Sequence, residues 1–165
     1  MSELETFFDN IATGTSAVMQ PREVRFFVPG IPQPGGSKRG FFNKKLGRVL
    51  ITDANKKAAP WKAMVSQAAI QEVSEMMDGP LRVRMEFVVP RPKGHYGSGK
   101  NENVLKSNAP AFPTSRPDVL KLGRNSEDAL TGIVWRDDSQ IVTEYLSKRY
   151  GSQAGVLITI TQEKA

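Results

Sequence analysis

With 165 residues, 39% of them hydrophobic and 24% charged, the chain has the material for one core-forming domain. It has no cysteine and a single histidine, His95, so disulfides and thiolate zinc sites are excluded and a Ser-His-Asp triad or poly-histidine metal site is disfavoured. The net charge of +6 favours a polyanionic partner, nucleic acid first, and no apolar run reaches the roughly 18 residues of a membrane span.

Residues 1–20 place Leu4, Phe7, Phe8 and Ile11 at the spacing of one short amphipathic helix, and the acidic opening MSELETFFDN lacks a signal-peptide pattern. This segment is expected to be a tail that orders only where it docks, and residues 21–165 are expected to form one domain. Glu23–Val28 reads as a first strand, closed by Pro29-Gly30 and followed by a Pro/Gly-rich loop, PGIPQPGGSKRG. Gly40–Asn43 and Arg48–Thr52 flank Lys44-Lys45-Leu46-Gly47, the pattern of a hairpin with a cationic turn. Asp53 is expected to open a helical region whose regular part starts at Pro60, with Trp61, Val65, Ala68, Ala69 and Val73 on one face and Gly79-Pro80 as its stop. Leu81–Val89 alternates apolar and charged residues like a half-buried strand. Residues 90–115 form a long loop rich in proline and cations. A second helix is expected over Asp118–Thr131 with Gly132 as its C-terminal cap, then a short apolar strand Ile133-Val134-Trp135, then strands over Ile141–Tyr150 and Val156–Thr161.

Against the basic background, Asp118, Glu127, Asp128, Asp137 and Asp138 fall within twenty-one positions. Clustered carboxylates repel one another unless a proton or cation compensates them, although a charged helix face is by default simply solvated. On a helical wheel Val119, Leu122, Gly123, Ser126, Ala129 and Leu130 make a core face, while Lys121, Arg124, Asn125, Glu127, Asp128 and Thr131 make a polar one. Leu120 interrupts the polar face, in line with Arg124 and Glu127. With hard oxygen donors available and no thiolate, the cation that suits such a set is Mg²⁺, with Mn²⁺ as a substitute.

The joint pattern Pro117-Asp118, Leu122, Asp128-Ala129-Leu130, Gly132 and Asp137-Asp138-Ser139-Gln140 resembles the RusA-like Holliday junction resolvases. The match is specific over about 25 residues and looser over 24–162. The resemblance implies an α/β (α+β) fold in which two main helices pack on a small mixed β-sheet. It implies a homodimer acting on four-way DNA junctions in recombination and repair, in a bacterial or phage-infected cytoplasm. It also implies Asp118 and Asp138 as ligands of the catalytic metal, supported by Asp128 and Asp137. Two positions depart from the family. Leu120 stands where the family carries a second aspartate, and Arg124 where it carries a lysine, so charge is kept there but not lysine geometry. Either a neighbour, Glu127 or Asp128, supplies the missing carboxylate, or the protein binds branched DNA and cuts it weakly.

DNA contacts are expected from Lys38, Arg39, Lys44, Lys45 and Arg48 on the hairpin and from Arg91, Lys93, Lys100 and Lys106 on the long loop. Phe41, Phe42 and Tyr96 have the chemistry to stack on exposed bases, with hairpin packing the plainer role for at least one phenylalanine. His95 is expected at the surface, and Trp61 and Trp135 in the core.

Overall fold

The computed structural model describes residues 22–36, 38–53 and 55–164, so the N-terminal tail expected over 1–20 lies outside the described residues. Among the described residues, six strands and two α-helices run in the order β1 (Glu23–Pro29), β2 (Lys38–Asn43), β3 (Arg48–Asp53), α1 (Ala58–Glu72), β4 (Leu81–Val89), α2 (Val119–Leu130), β5 (Ile141–Tyr150) and β6 (Gly155–Gln162). Four strands form a sheet of order β1-β6-β4-β5. β6 runs antiparallel to both β1 and β4, whereas β4 and β5 are parallel, so the sheet is mixed. The parallel step exists because β4 and β5 are joined through the long loop and α2 rather than by a hairpin. β2 and β3 pair only with each other, as a separate hairpin.

Alternation along β4 buries Leu81, Val83, Met85 and Phe87 on one face of the sheet, and β6 adds Val156, Ile158 and Ile160 to it. α1 and α2 cover that face. Trp61, Val65 and Ala69 of α1, and Leu122, Ala129 and Leu130 of α2, complete the core with Val134 and Trp135. The helices are also tied by polar contacts. Trp61 Nε1 donates to Ser126 Oγ at 3.3 Å, Ser66 Oγ donates to the Ala129 carbonyl at 2.7 Å, and Lys62 Nζ meets Asp128 Oδ2 at 2.6 Å.

Four boundaries and faces differ from expectation. Asp53 ends β3 instead of opening a helix. α1 starts at Ala58, which puts Pro60 third; a first-turn residue has no intrahelical acceptor for its N–H, so proline costs no bond there. The same helix stops at Glu72, well before Gly79-Pro80, because the chain turns to bury Met77, whose N–H bonds to the Val134 carbonyl at 2.7 Å. Ile133-Val134-Trp135 is a tight turn, not a strand: the N–H groups of Ile133 and Val134 both return to the Leu130 carbonyl. Gly132 sits just past the helix end with φ +81°, a conformation that favours glycine and closes α2 as expected. Residues 90–115 are folded back on themselves by two short 3₁₀ turns and a Tyr96–Leu105 bridge.

Candidate active site

α2 is positioned at both ends and along one side. Lys148, on the core-facing side of β5, donates from Nζ to the carbonyls of Ser115 (2.7 Å) and Pro117 (2.8 Å), which fixes the chain where it enters the helix. Along the side, the Pro/Gly loop lies against α2: Gly35 N–H donates to the Lys121 carbonyl at 2.9 Å, and Asn125 Nδ2 donates to the Gln33 carbonyl at 2.9 Å. Asn125 is therefore fully buried, although the wheel places it on the polar face. The loop approaches this closely only because residue 35 has no side chain; a β-carbon there falls 2.6 Å from Asn125 Oδ1. Gly35→Ala is accordingly expected to cost about 1–3 kcal/mol through overpacking, read from the midpoint of a denaturant titration.

Glu127 is the centre of the acidic constellation. It is half-buried on α2, and its carboxyl is pushed up from 4.5 to about 8 by burial first, then by a hydrogen bond and charge repulsion from Glu144, with Asp138 and Asp128 adding repulsion. Glu144 is a residue the helix-centred reading missed. It lies on β5 opposite Val83, with the same parity as Leu146 opposite Met85 and Lys148 opposite Phe87, so it points to the core-facing side beneath α2. A carboxylate at an inward position of Ile141–Tyr150 was the available signal. Glu127 and Glu144 line a cavity of about 270 Å³ together with Gly35, Gly36, Leu120 and Arg124. Leu120 is 71% exposed at the rim, which confirms that it interrupts the polar face.

The remaining acids are placed differently. Asp138 Oδ1 accepts from Thr131 Oγ1 at 2.5 Å and from Trp135 Nε1 at 2.9 Å, which holds it at the C-terminal end of α2 within electrostatic reach of Glu127. Asp118 is the N-cap residue of α2, makes no side-chain capping bond, and stands 3.8 Å from Lys121 Nζ. A helix of twelve residues rises about 18 Å, so Asp118 and Asp138 sit at opposite ends of α2 and do not converge within one protomer. Asp118 instead borders a cleft of about 610 Å³ with Arg116, Lys121, Ile31 and Asn55. Asp137 caps a 3₁₀ turn: hydrogen bonds from Ser139 hold its carboxyl below the usual value, and Gln140 completes the box. Asp128 is committed to Lys62. Among the described residues, no group of three or more histidine, aspartate or glutamate side chains is arranged to hold one ion.

The raised Glu127 group carries a sign. The folded state holds this proton more tightly than the unfolded chain, so stability is full below about 4.5 and is lost as pH rises toward and through about 8. In chelator, the melting temperature is expected to fall over that range. Glu127→Gln is expected to flatten the fall and to be the more stable protein on the alkaline side. A wild-type curve that rises over the same range contradicts the shared proton.

The cationic residues divide as well. Lys38, Arg39, Lys44, Lys45 and Arg48 on the hairpin and Lys93 and Lys100 on the long loop are exposed. Arg91 is engaged internally, donating to the Pro110 carbonyl at 2.8 Å and lying 4.2 Å over the Tyr150 ring, and Lys106 Nζ donates to the Gly94 carbonyl. His95 is half-buried edge-on to Tyr150 instead of fully surface. No helix among the described residues is long and apolar enough to cross a membrane.

The chain is similar to a Bacillus subtilis (strain 168) protein printed as "Uncharacterized protein YqaN", at 29% identity over 143 residues, covering 86% of this chain and 98% of that one. The endodeoxyribonuclease RusA family model matches residues 30–161, from the loop that straps α2 through the last strand of the sheet. The chain belongs to the RusA endodeoxyribonuclease family.

Proposed function

We propose that the protein is a structure-specific endonuclease that resolves four-way DNA junctions by Mg²⁺-dependent phosphodiester hydrolysis, as a homodimer, in recombination and repair. The observation that carries this reading, in a chain of a nuclease family, is that Glu127 of α2 and Glu144 of β5 line one cavity together with Arg124, where burial and Glu144 raise the Glu127 carboxyl.

Within one protomer the length of α2 separates Asp118 from Asp138, so the two do not meet on a single ion there. The Glu127–Glu144 pair does fit one. Mg²⁺ takes oxygen donors, keeps several waters, and is commonly held by one or two carboxylates together with substrate phosphate oxygens. Excess negative charge that now retains a proton is what a divalent cation neutralises. Glu127 and Glu144 would therefore hold the ion, with Asp138 contributing charge from its fixed position. When bound, the ion supplies Lewis-acid polarisation of the phosphate and an activated water.

The other residues act around that point. Arg124 lines the same cavity and stands ready to offset charge building on the non-bridging oxygens. Thr131 and Trp135 hold the Asp138 carboxylate at the C-terminal end of α2. Arg116 and Lys121 flank Asp118 in the larger cleft, where a phosphate strand finds two cations. A two-fold junction requires two active sites related by two-fold symmetry, which is the reason for a dimer.

A second reading, a branched-DNA-binding protein with weak cleavage, is favoured by one observation: exposed Leu120 occupies the family's second aspartate position and cannot hold an ion. One experiment separates the readings. A labelled synthetic junction incubated with the protein in Mg²⁺ is expected to show paired nicks on opposing strands, with none in EDTA and none on linear duplex. Tight binding to an uncut junction in both Mg²⁺ and Mn²⁺ would instead favour the second reading.

A further inference from the structure

The β2–β3 hairpin stands apart from the four-stranded sheet and packs chiefly on itself. Its two faces are unlike. Register puts Phe42 opposite Val49 and Gly40 opposite Ile51, so these four share one face, while Phe41 and Leu50 share the other. The first face is the more open one: Phe42 and Val49 are each 61% exposed and Ile51 is 70% exposed, against 46% for Phe41. Gly40 adds no side chain to cover it. A lone two-stranded hairpin is marginal in water, and one with three exposed apolar side chains gains nothing from presenting them to solvent.

Charge identifies what covers this face. Residues 38–53 contain five lysines and arginines and one acid. Facing a second hairpin of the same kind would set like charges against one another, whereas a polyanion with apolar faces satisfies both features. Nucleic acid is that partner, and its bases are open to an apolar side chain only where stacking is interrupted. We propose that the hairpin is a branch-point probe: Phe42, supported by Val49 and Ile51, packs against unstacked bases at the junction centre, while Lys44 and Lys45 of the turn hold the flanking phosphates. The inference rests on the junction reading above and adds the element that distinguishes a junction from a duplex.

The test compares Phe42→Ala with wild type in binding to a four-way junction carrying 2-aminopurine at the branch point and to a linear duplex of the same sequence. Mass is followed by light scattering and folding by thermal melting. Wild type is expected to prefer the junction and to brighten the probe. Phe42→Ala is expected to bind the junction about tenfold more weakly, to leave the probe dark, and to keep wild-type duplex affinity, mass and melting temperature. Unchanged junction binding, or equal weakening on both DNAs, overturns the inference. So does a drop in mass, which assigns the face to a second copy, or a marked drop in melting temperature, which assigns it to the chain itself. If wild type binds both DNAs equally, the junction reading fails and the probe fails with it; if wild type prefers the junction and Phe42→Ala prefers it by the same factor, the probe alone fails.

Discussion

Glu144→Gln is expected to lower single-turnover cleavage of a four-way junction by about 10²–10³, and Glu127→Gln by as much, with junction affinity kept or raised. The two side chains line one cavity between α2 and β5, and Glu144 helps to raise the Glu127 carboxyl. Amide replacement preserves shape, removes the charge of Glu144 and, at Glu127, removes the carboxyl that could give up its proton to an ion. Junction affinity should not fall, because phosphates approach a less acidic surface. The non-additive double variant is the signature of a unit: Glu127→Gln/Glu144→Gln should be little worse than either single change. Leu120→Asp serves as the control. If the pair already does the work of the missing aspartate, a carboxylate at the exposed rim adds little. If Leu120 marks an impaired site, Leu120→Asp raises cleavage and both glutamine variants are silent.

The largest stability effect is expected at Trp135. Its side chain is fully buried, and Trp135→Ala should cost about 3–5 kcal/mol by denaturant unfolding. The indole also does a second job, donating from Nε1 to Asp138 Oδ1 and to Thr131 Oγ1. Trp135→Phe separates the two roles. It fills most of the same volume, so stability should fall by far less than in the alanine variant, while Asp138 loses a donor that fixes it at the end of α2. Cleavage should therefore drop in Trp135→Phe out of proportion to its stability. A Phe variant with wild-type cleavage would limit Trp135 to packing.

Much of this arrangement was legible in the sequence. Period-two alternation marked β4, the cationic turn marked the β2–β3 hairpin, and the wheel of 118–131 named the buried side of α2 apart from Asn125. What failed was tertiary. Asn125 is buried because a glycine loop from far upstream lands on it, which no helical period reveals. Ile133–Trp135 looked like a strand because apolar β-branched residues carry strand propensity, yet its N–H groups were already claimed by the end of α2. Asp118 and Asp138 were grouped by a motif, and motif spacing does not report that a whole helix stands between them. Glu144 was overlooked for the converse reason: it is seventeen residues from Glu127 in sequence and meets it only because β5 runs parallel to β4 beneath α2.

Calorimetric titration of Mn²⁺ into the DNA-free protein at neutral pH, repeated in buffers of different ionisation enthalpy, tests the Glu127–Glu144 site most directly. Glu127 keeps its proton up to about 8, so an ion entering between the two carboxylates must displace it. Binding with release of about one proton is expected from wild type, and neither is expected from Glu127→Gln/Glu144→Gln. Ion binding that releases no proton, or that survives in the double variant, would place the ion elsewhere and contradict the assignment.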